Sequence, residues 1–413
     1  MEKSLIGGRV PLEFLMEALV RLSVKPLFAS RAVCKTFVTL TSVDASDGKF
    51  RNLTFTPEFI ALHSANATQM LALQFGDSNM LNCVDPEVDV DPEFVQNVRL
   101  KPMFRMPDFI SQRTFSRDQN KSLLVNSCNG LLYFVRRRAG DERSFVCNPV
   151  TKEYFLIPDV QGDDRFRDDT KTKSMWLGYN PGSNQYKVLR ILSFIDIDGN
   201  FVDMSAQVLE VGPNWWKDIQ NTPLGRDISW EDCPATVNGV LYWLDQSSKD
   251  IVFFDFEREC FGEIALPSEY GDDQLSKIEF MSIGVLGGCV SLTLSYNVNN
   301  APLVDVWVMK KHGDEESWSK EFIVDAVSPS GVPLYGQFRP LQVLKNGEIL
   351  MLWINNDLVC YNPRNKSLRY AGFDWLHMNP RAVGFTPSLI SLKDTLSVNE
   401  VSHTERPWSR PAP

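Results

Sequence analysis

Histidine is scarce here, with four residues in 413 at positions 63, 312, 377 and 403, and no two stand at a metal-ligand spacing. The eight cysteines are scattered and form no C-x-x-C pair, which removes zinc ribbons and thioredoxin-type redox chemistry. Cys147, Cys289 and Cys360 lie in apolar, strand-like runs, as buried free thiols of a reducing compartment do. Zinc-hydrolase, nucleotide-loop and serine-elbow motifs are missing, so no metal, no cofactor and no catalytic residue is expected. Positive charge is also in deficit: 42 Lys and Arg against 52 Asp and Glu leave a net charge of −10. That field repels phosphate backbones and anionic lipid, which makes nucleic acid and membrane surfaces poor partners. No stretch approaches the roughly 20 apolar residues of a membrane span. Met1 to Val10 has no basic region followed by an apolar run and a cleavage site. The expected setting is the cytoplasm and/or the nucleus.

What is abundant is apolar and aromatic: 43% hydrophobic residues and 11% aromatic ones, ten of them Trp, a composition that favours β-rich packing. The first fifty residues read differently. Pro11 suits a first helical position, where its missing N–H would be unpaired in any case. Behind it Leu12, Leu15, Leu19 and Leu22 repeat at three- and four-residue steps, with Phe14 and Ala18 widening the stripe. Ser23-Val-Lys-Pro26 breaks this helix, and a second is expected from near Pro26 carrying Leu27, Val33, Phe37 and Leu40 inward. Helices this short are marginal alone and must pack on something.

This segment resembles an F-box of the plant type. The matching residues are Pro11, Glu13, Leu15, Glu17, Leu19, Arg21, Leu22, Val24, Lys25 and Leu27, followed by Arg31, Val33, Cys34 and Lys35. It departs from the usual pattern at Val10, Phe14, Ala18, Ser23, Pro26 and Phe37, and Ala18 and Phe37 reduce the apolar surface. The bland alternative is a helical cap that packs only on the domain behind it.

From about residue 120 one phrase recurs: an apolar run, an Asn-Gly or Gly-Gly turn, a returning run, a polar loop, a third run and a fourth. Cys233 to Pro267, turning at Asn238-Gly239, is the clearest copy, and both turn residues favour positive φ. Leu123 to Ile157 turns at Asn129-Gly130, and Leu341 to Tyr370 at Asn346-Gly347. Two looser copies run from Trp176 to Trp216 and from Ile283 to Val324. Four strands per unit point to propeller blades, because radial stacking leaves only short, protected edges. A sixth blade is expected from strands near Asn52 to Phe75 pairing with Ala382 to Leu392, with a two-sheet sandwich as the rival fold. Asp255, Asp305 and Asp357 recur at similar positions and read as turn-capping residues. Asn82 to Asn120 reads as a surface excursion. Trp215 and Trp216 must point to opposite faces of any strand, so one is expected to be exposed.

This region also resembles the plant F-box-associated domain, a kelch-like β-propeller. The phrases that carry it include Ser127-Cys-Asn-Gly-Leu-Leu132, Cys147-Asn-Pro-Val-Thr-Lys152, Leu177-Gly-Tyr-Asn-Pro181, Val304-Asp-Val-Trp-Val308 and Tyr361-Asn-Pro363. The two resemblances imply a mainly β chain in three parts. Residues 1–50 would be a short helical F-box, 51–392 a kelch-like β-propeller of about six four-stranded blades, and 393–413 a disordered tail. They imply a substrate-recognition subunit of an SCF-type (Skp, cullin, F-box) ubiquitin ligase. The F-box would dock on a Skp-family adaptor and through it on cullin, and the propeller would bind an unidentified target protein. Pro11, Leu15, Leu19, Leu22, Val24, Leu27, Val33 and Phe37 would face the adaptor or form the F-box core. The alternatives are an interaction module acting outside any ligase, or a propeller enzyme whose loops converge on an ionisable cluster.

Overall fold

A computed structural model describes residues 69–75, 80–86, 102–105, 121–137, 143–158, 170–195, 201–212, 215–220, 233–245, 249–270, 276–354, 357–371, 380–388, 391–396, 398 and 401–403, with the backbone of 5–6 and 10–11. Six antiparallel sheets follow one another as blades. The second blade comprises Lys121–Cys128, Leu131–Arg137, Arg143–Asn148 and Glu153–Leu156; the third, Thr170–Asn180, Gln185–Ile195, Phe201–Glu210 and Trp216–Ile219. The fourth comprises Ala235–Val237, Val240–Leu244, Ile251–Asp255 and Cys260–Ile264; the fifth, Ile278–Leu286, Cys289–Val298, Ala301–Met309 and Trp318–Asp325. Phe338–Val343, Ile349–Trp353, Asp357–Asn362 and Ser367–Tyr370 form the sixth.

The first blade joins distant parts of the chain. Pro380–Phe385 is its innermost strand and pairs with Met70–Phe75, in register Val383 to Ala72, followed by Met80–Val84 and Pro102–Arg105. The ring is therefore a six-bladed propeller closed by an early and a late segment, and the sandwich alternative is excluded. The pairing falls close to the expected span. The reading of Asn82 to Asn120 as a surface excursion needs correction, because residues 82–84 and 102–105 belong to the third and outermost strands of this blade.

Turn chemistry explains why the blades form where they do. Asn129-Gly130 (φ 46° and 85°), Asn238-Gly239 (50° and 78°) and Gly287-Gly288 (59° and 78°) join first to second strands with two successive positive φ values, the geometry that matches strand twist. At Gly239 a side chain is barred twice, by its φ and because a Cβ would lie 2.7 Å from the Tyr179 carbonyl oxygen. A second turn repeats after the third strand of even-numbered blades. Asn148, Asp255 and Asn362 accept hydrogen bonds from the amides two residues on, at 2.9, 2.8 and 3.0 Å, and Lys152, Glu259 and Lys366 then adopt positive φ. Asp255 is thus a turn cap as expected, whereas Asp305 is not. It is buried in mid-strand, accepts hydrogen bonds from the Tyr270 and Tyr296 hydroxyls and pairs with Lys320 at 3.0 Å. Asp357 opens its strand and, among the described residues, accepts from the next amide, Leu358.

The core lies between blades. One apolar cluster joins blades one and two, a large one joins two, three and four, and three more fill the remaining joints. Strands such as Val240–Leu244 are buried on both faces for this reason, while outer strands such as Trp216–Ile219 are half exposed. Trp176 and Trp243 fill the joint between blades three and four. Of the adjacent pair, Trp215 is 52% exposed while Trp216 packs on the core, with the Arg190 guanidinium stacked over its ring at 3.9 Å.

Two expectations at the ends of the chain also change. Val10–Pro11 pairs with Leu5–Ile6 as a two-residue strand, so the backbone of Pro11 is extended, and the helices expected behind it lie outside the described residues. The expected disordered tail begins instead with a short helix, Leu392–Leu396, whose Leu392 and Leu396 are buried against blades two and three. Ser402–His403 then pairs with Tyr154 and Glu153, adding a fifth strand to the second blade. An apolar Leu392, Leu396 and Val398 series, hidden in a polar segment, is what orders it.

Candidate functional site

The innermost strands of all six blades surround a central cavity of about 1210 Å³. Its rim is built from the turns between first and second strands: Asn129-Gly130, Asn238-Gly239 and the Tyr179 to Tyr186 turn with Asn184. Deeper walls come from Ile283 to Val285, Arg339 to Leu341 and Ala382 to Phe385. Rim and wall follow from one topological fact: the innermost strands run in the same direction, so in blades two to six the turn that follows each lies on the same face of the ring.

Side chains stitch these strands together across the joints. Asn126, 1% exposed, accepts from the Leu177 amide at 3.1 Å and donates to the Leu177 carbonyl at 2.7 Å, copying a strand pairing between blades two and three. Ser127 Oγ donates to the Gly384 carbonyl at 2.6 Å, and Arg339 Nη2 donates to the Ala382 carbonyl at 2.7 Å. The Thr293 hydroxyl donates to the Phe338 carbonyl, and Gln337 Nε2 to the Met281 carbonyl at 3.2 Å. Each bond answers a backbone group that the inner edge of a blade would leave unpaired.

The chemistry of the cavity is sparse. Its described lining contains no carboxylate, lysine or histidine, and Arg339 is the one residue there with a full charge at neutral pH. Burial pushes the Cys128 thiol up to about 12, so it stays protonated and is a poor nucleophile. The Tyr186 hydroxyl is likewise raised, by burial first and then by Cys128 and Tyr179. Among the described residues no group of three or more His, Cys, Asp or Glu side chains could hold a metal ion. What the walls offer is hydrogen-bonding amides and hydroxyls at the rim, apolar surface and one guanidinium. That is the chemistry of a binding cavity, and its described lining holds no carboxylate, lysine or histidine to act as a general acid or base.

Leu15, Leu19, Leu22, Val24, Leu27, Val33 and Phe37 lie outside the described residues, and of the sequence-derived adaptor set only Pro11 is placed, by its backbone. Arg339 and Asn126 carry the cavity and its stitching, yet no motif marks them. The only trace is a lone polar residue inside an otherwise apolar run, as in Phe338-Arg-Pro-Leu341, and that strand starts three residues before the repeat read from Leu341.

Residues 106–382 match the F-box associated beta propeller domain family. An F-box protein of Arabidopsis thaliana is 26% identical over 295 residues, covering 62% of this chain and 67% of its own length. An F-box/kelch-repeat protein of the same plant is 23% identical over 369 residues, 87% of this chain and 90% of the relative. Among solved structures, an alpha-L-arabinanase of Penicillium chrysogenum aligns with 60% of this chain and 79% of its own at TM-score 0.39 and 12% identity, too loose a likeness to carry an argument. A six-bladed ring built on the shared turn phrases, matched over most of its length, leaves one conclusion: the chain belongs to the F-box associated β-propeller family of plant F-box proteins.

Proposed function

We propose that this chain is the substrate-recognition subunit of an SCF-type ubiquitin ligase. Residues 1–50 form the helical F-box and dock on a Skp-family adaptor, which links them to cullin, while the kelch-like propeller holds a target protein. The chain carries no chemistry of its own in this role. It raises the effective concentration of target near a charged conjugating enzyme, and proximity supplies the rate. The observation that carries this reading is the order of parts: an F-box-like run from Val10 to Leu40 precedes a propeller of the family found behind F-boxes. The sparse chemistry of the cavity supports a binding role over an enzymatic one. Residence in the cytoplasm and/or nucleus, where the ligase components act, belongs to the same proposal.

Affinity capture tests it, with the intact chain beside one lacking residues 1–50. Adaptor and cullin should be lost from the shortened chain, and target should persist. Leu22→Asp with Val24→Asp should also abolish adaptor capture, since two unpaired carboxylates in an apolar contact are prohibitive. Normal adaptor binding by that double variant overturns the F-box assignment. An intact chain that captures targets but never adaptor supports the module acting outside a ligase.

A further inference from the structure

We infer that the central cavity is an anion site in which Arg339 receives a carboxylate, an inference that rests on the propeller being the target-binding part. Arg339 is 8% exposed, and a guanidinium has five N–H donors in a rigid fork. One of its nitrogens donates to the Ala382 carbonyl at 2.7 Å, and among the described residues no ion pair joins it to a carboxylate. An acidic chain with 52 Asp and Glu thus places a cation in its central channel and, among the described lining residues, no anion beside it. Buried charges are ordinarily paired, and the pairing that suits a planar fork is a bidentate carboxylate.

The depth is suitable. Arg339 packs beside Gly284 and bonds to Ala382, which stand two and three residues before the rim ends of their strands at Leu286 and Phe385. At the rise of a strand that is about 7–10 Å below the rim. Gly284 makes room for the arrangement, since a Cβ there would stand 3.1 Å from Arg339 Cγ and 2.7 Å from the Pro340 carbonyl. An acidic side chain or a chain terminus entering by the rim reaches this depth, and a flat protein surface does not. At the rim the Asn238 side-chain amide offers a donor and an acceptor to a peptide main chain crossing the mouth, and Asn184, whose Oδ1 accepts from the Tyr179 hydroxyl, offers its N–H donors. The ligand chemistry is therefore a carboxylate. Its source is either a target peptide or a small free organic acid.

The test uses the full chain and three probes at about 50 mM salt, where screening is modest. These are fluorescein-labelled, amidated decapeptide pools with one central Glu, the same pools with Gln, and succinate, followed by fluorescence anisotropy or by succinate competition and thermal shift. Arg339→Gln keeps a donor for the Ala382 carbonyl while removing the charge, and Arg339→Lys keeps the charge without the fork. The intact chain should prefer Glu over Gln pools, and Arg339→Gln should weaken binding by at least about tenfold, with Arg339→Lys between them. Thermal midpoints of the unliganded variants report whether the fold is kept. Should Arg339→Gln not fold, the intermediate affinity of Arg339→Lys and the Glu preference of the intact chain decide. Binding of succinate without any peptide preference assigns the site to a free acid. Binding of neither probe, or equal binding by intact chain and Arg339→Gln, overturns the inference. Target capture that survives Arg339→Gln also removes the cavity from target recognition while leaving the ligase role standing, whereas loss of adaptor capture by Leu22→Asp/Val24→Asp bears on the F-box alone.

Discussion

Two joints of the ring are held together by opposite means. Between blades three and four, besides the ion pairs of Glu259 with Lys187 and Lys217, the packed contact is apolar and aromatic: Trp176 meets Trp243 edge-on at 4.8 Å, and Gly178 leaves the space that the Phe256 ring fills. Around the closing strand Pro380–Phe385 the contacts are polar and directed at backbone. Ser127, Arg339 and Asn148 donate to the carbonyls of Gly384, Ala382 and Ser388, and Gln74 accepts from the Leu124 amide at 2.6 Å. The difference follows from chain connectivity. A blade whose strands are joined by short turns has its register set locally, so bonds across its joints, such as Asn126 to Leu177, are not needed to set it. A strand that arrives from the far end of the chain has no turn to set its register, and oriented hydrogen bonds from both neighbours do that work.

The severest way to break this comparison is to end the chain after Ala371. Met70–Phe75 would then be an uncovered inner edge, and two apolar clusters would lose Ala382, Val383 and Phe385. No cooperative unfolding transition is expected by denaturant titration, although five complete blades remain. A cooperative transition of normal steepness would show that closure is dispensable.

Next in size is Trp243→Ala, which attacks the apolar joint. A fully buried Trp costs about 3–5 kcal/mol on truncation, because the rigid neighbours Trp176 and Phe254 cannot collapse into the space. Asn126→Ala should cost less, about 1–3 kcal/mol, by leaving the Leu177 amide and carbonyl buried without their partner. Chemical denaturation of the two variants ranks volume against hydrogen bonding at adjoining sites. If Asn126→Ala proved the costlier, directed polar stitching, and not packing, would be the main cohesion of the inner ring.

Legibility in the sequence followed the same division. Asn129-Gly130, Asn238-Gly239 and Gly287-Gly288 announce hairpins because two successive positive φ values leave few residue choices, and five blades could be read from such phrases. The closing strand carries no turn signal, so only the incompleteness of the repeat pointed to it, and its bounds were placed a few residues late. Asp305 looked like Asp255 because both sit on third strands in apolar surroundings. What separates them is Tyr270, Tyr296 and Lys320, which converge from a loop and two other strands, and spacing along the chain does not encode that. The cavity was legible only as a consequence of the propeller. Arg339 acquires meaning from Ala382 and Gly284, which belong to the strands on either side of its own.

The smallest expected effects sharpen the contrast between bonds within a blade and bonds across a joint. Glu348 and Arg369 belong to the sixth blade alone, at 2.6 Å. Glu259 in the fourth blade takes Lys187 and Lys217 from the third, the first at 2.5 Å. Burial by itself would raise both carboxyls, but the hydrogen bonds and charges of their partners outweigh it and hold both below the ordinary carboxylate range. A carboxyl with a folded-state pKa below its unfolded value stabilises fully above the unfolded value, about 4.3 for Glu, and that contribution is lost as pH falls from there through the folded value. Glu348→Gln and Glu259→Gln should therefore each cost about 1 kcal/mol near neutral pH and flatten the acid side of the stability curve. Glu259→Gln should cost the more of the two, because the Lys187 ammonium it abandons is almost fully buried, with Glu210 3.7 Å away as its remaining partner. Denaturation midpoints from pH 7 down through pH 4 measure both slopes, and equal costs would mean that a charge spanning two blades is no more exposed to loss than one inside a single blade.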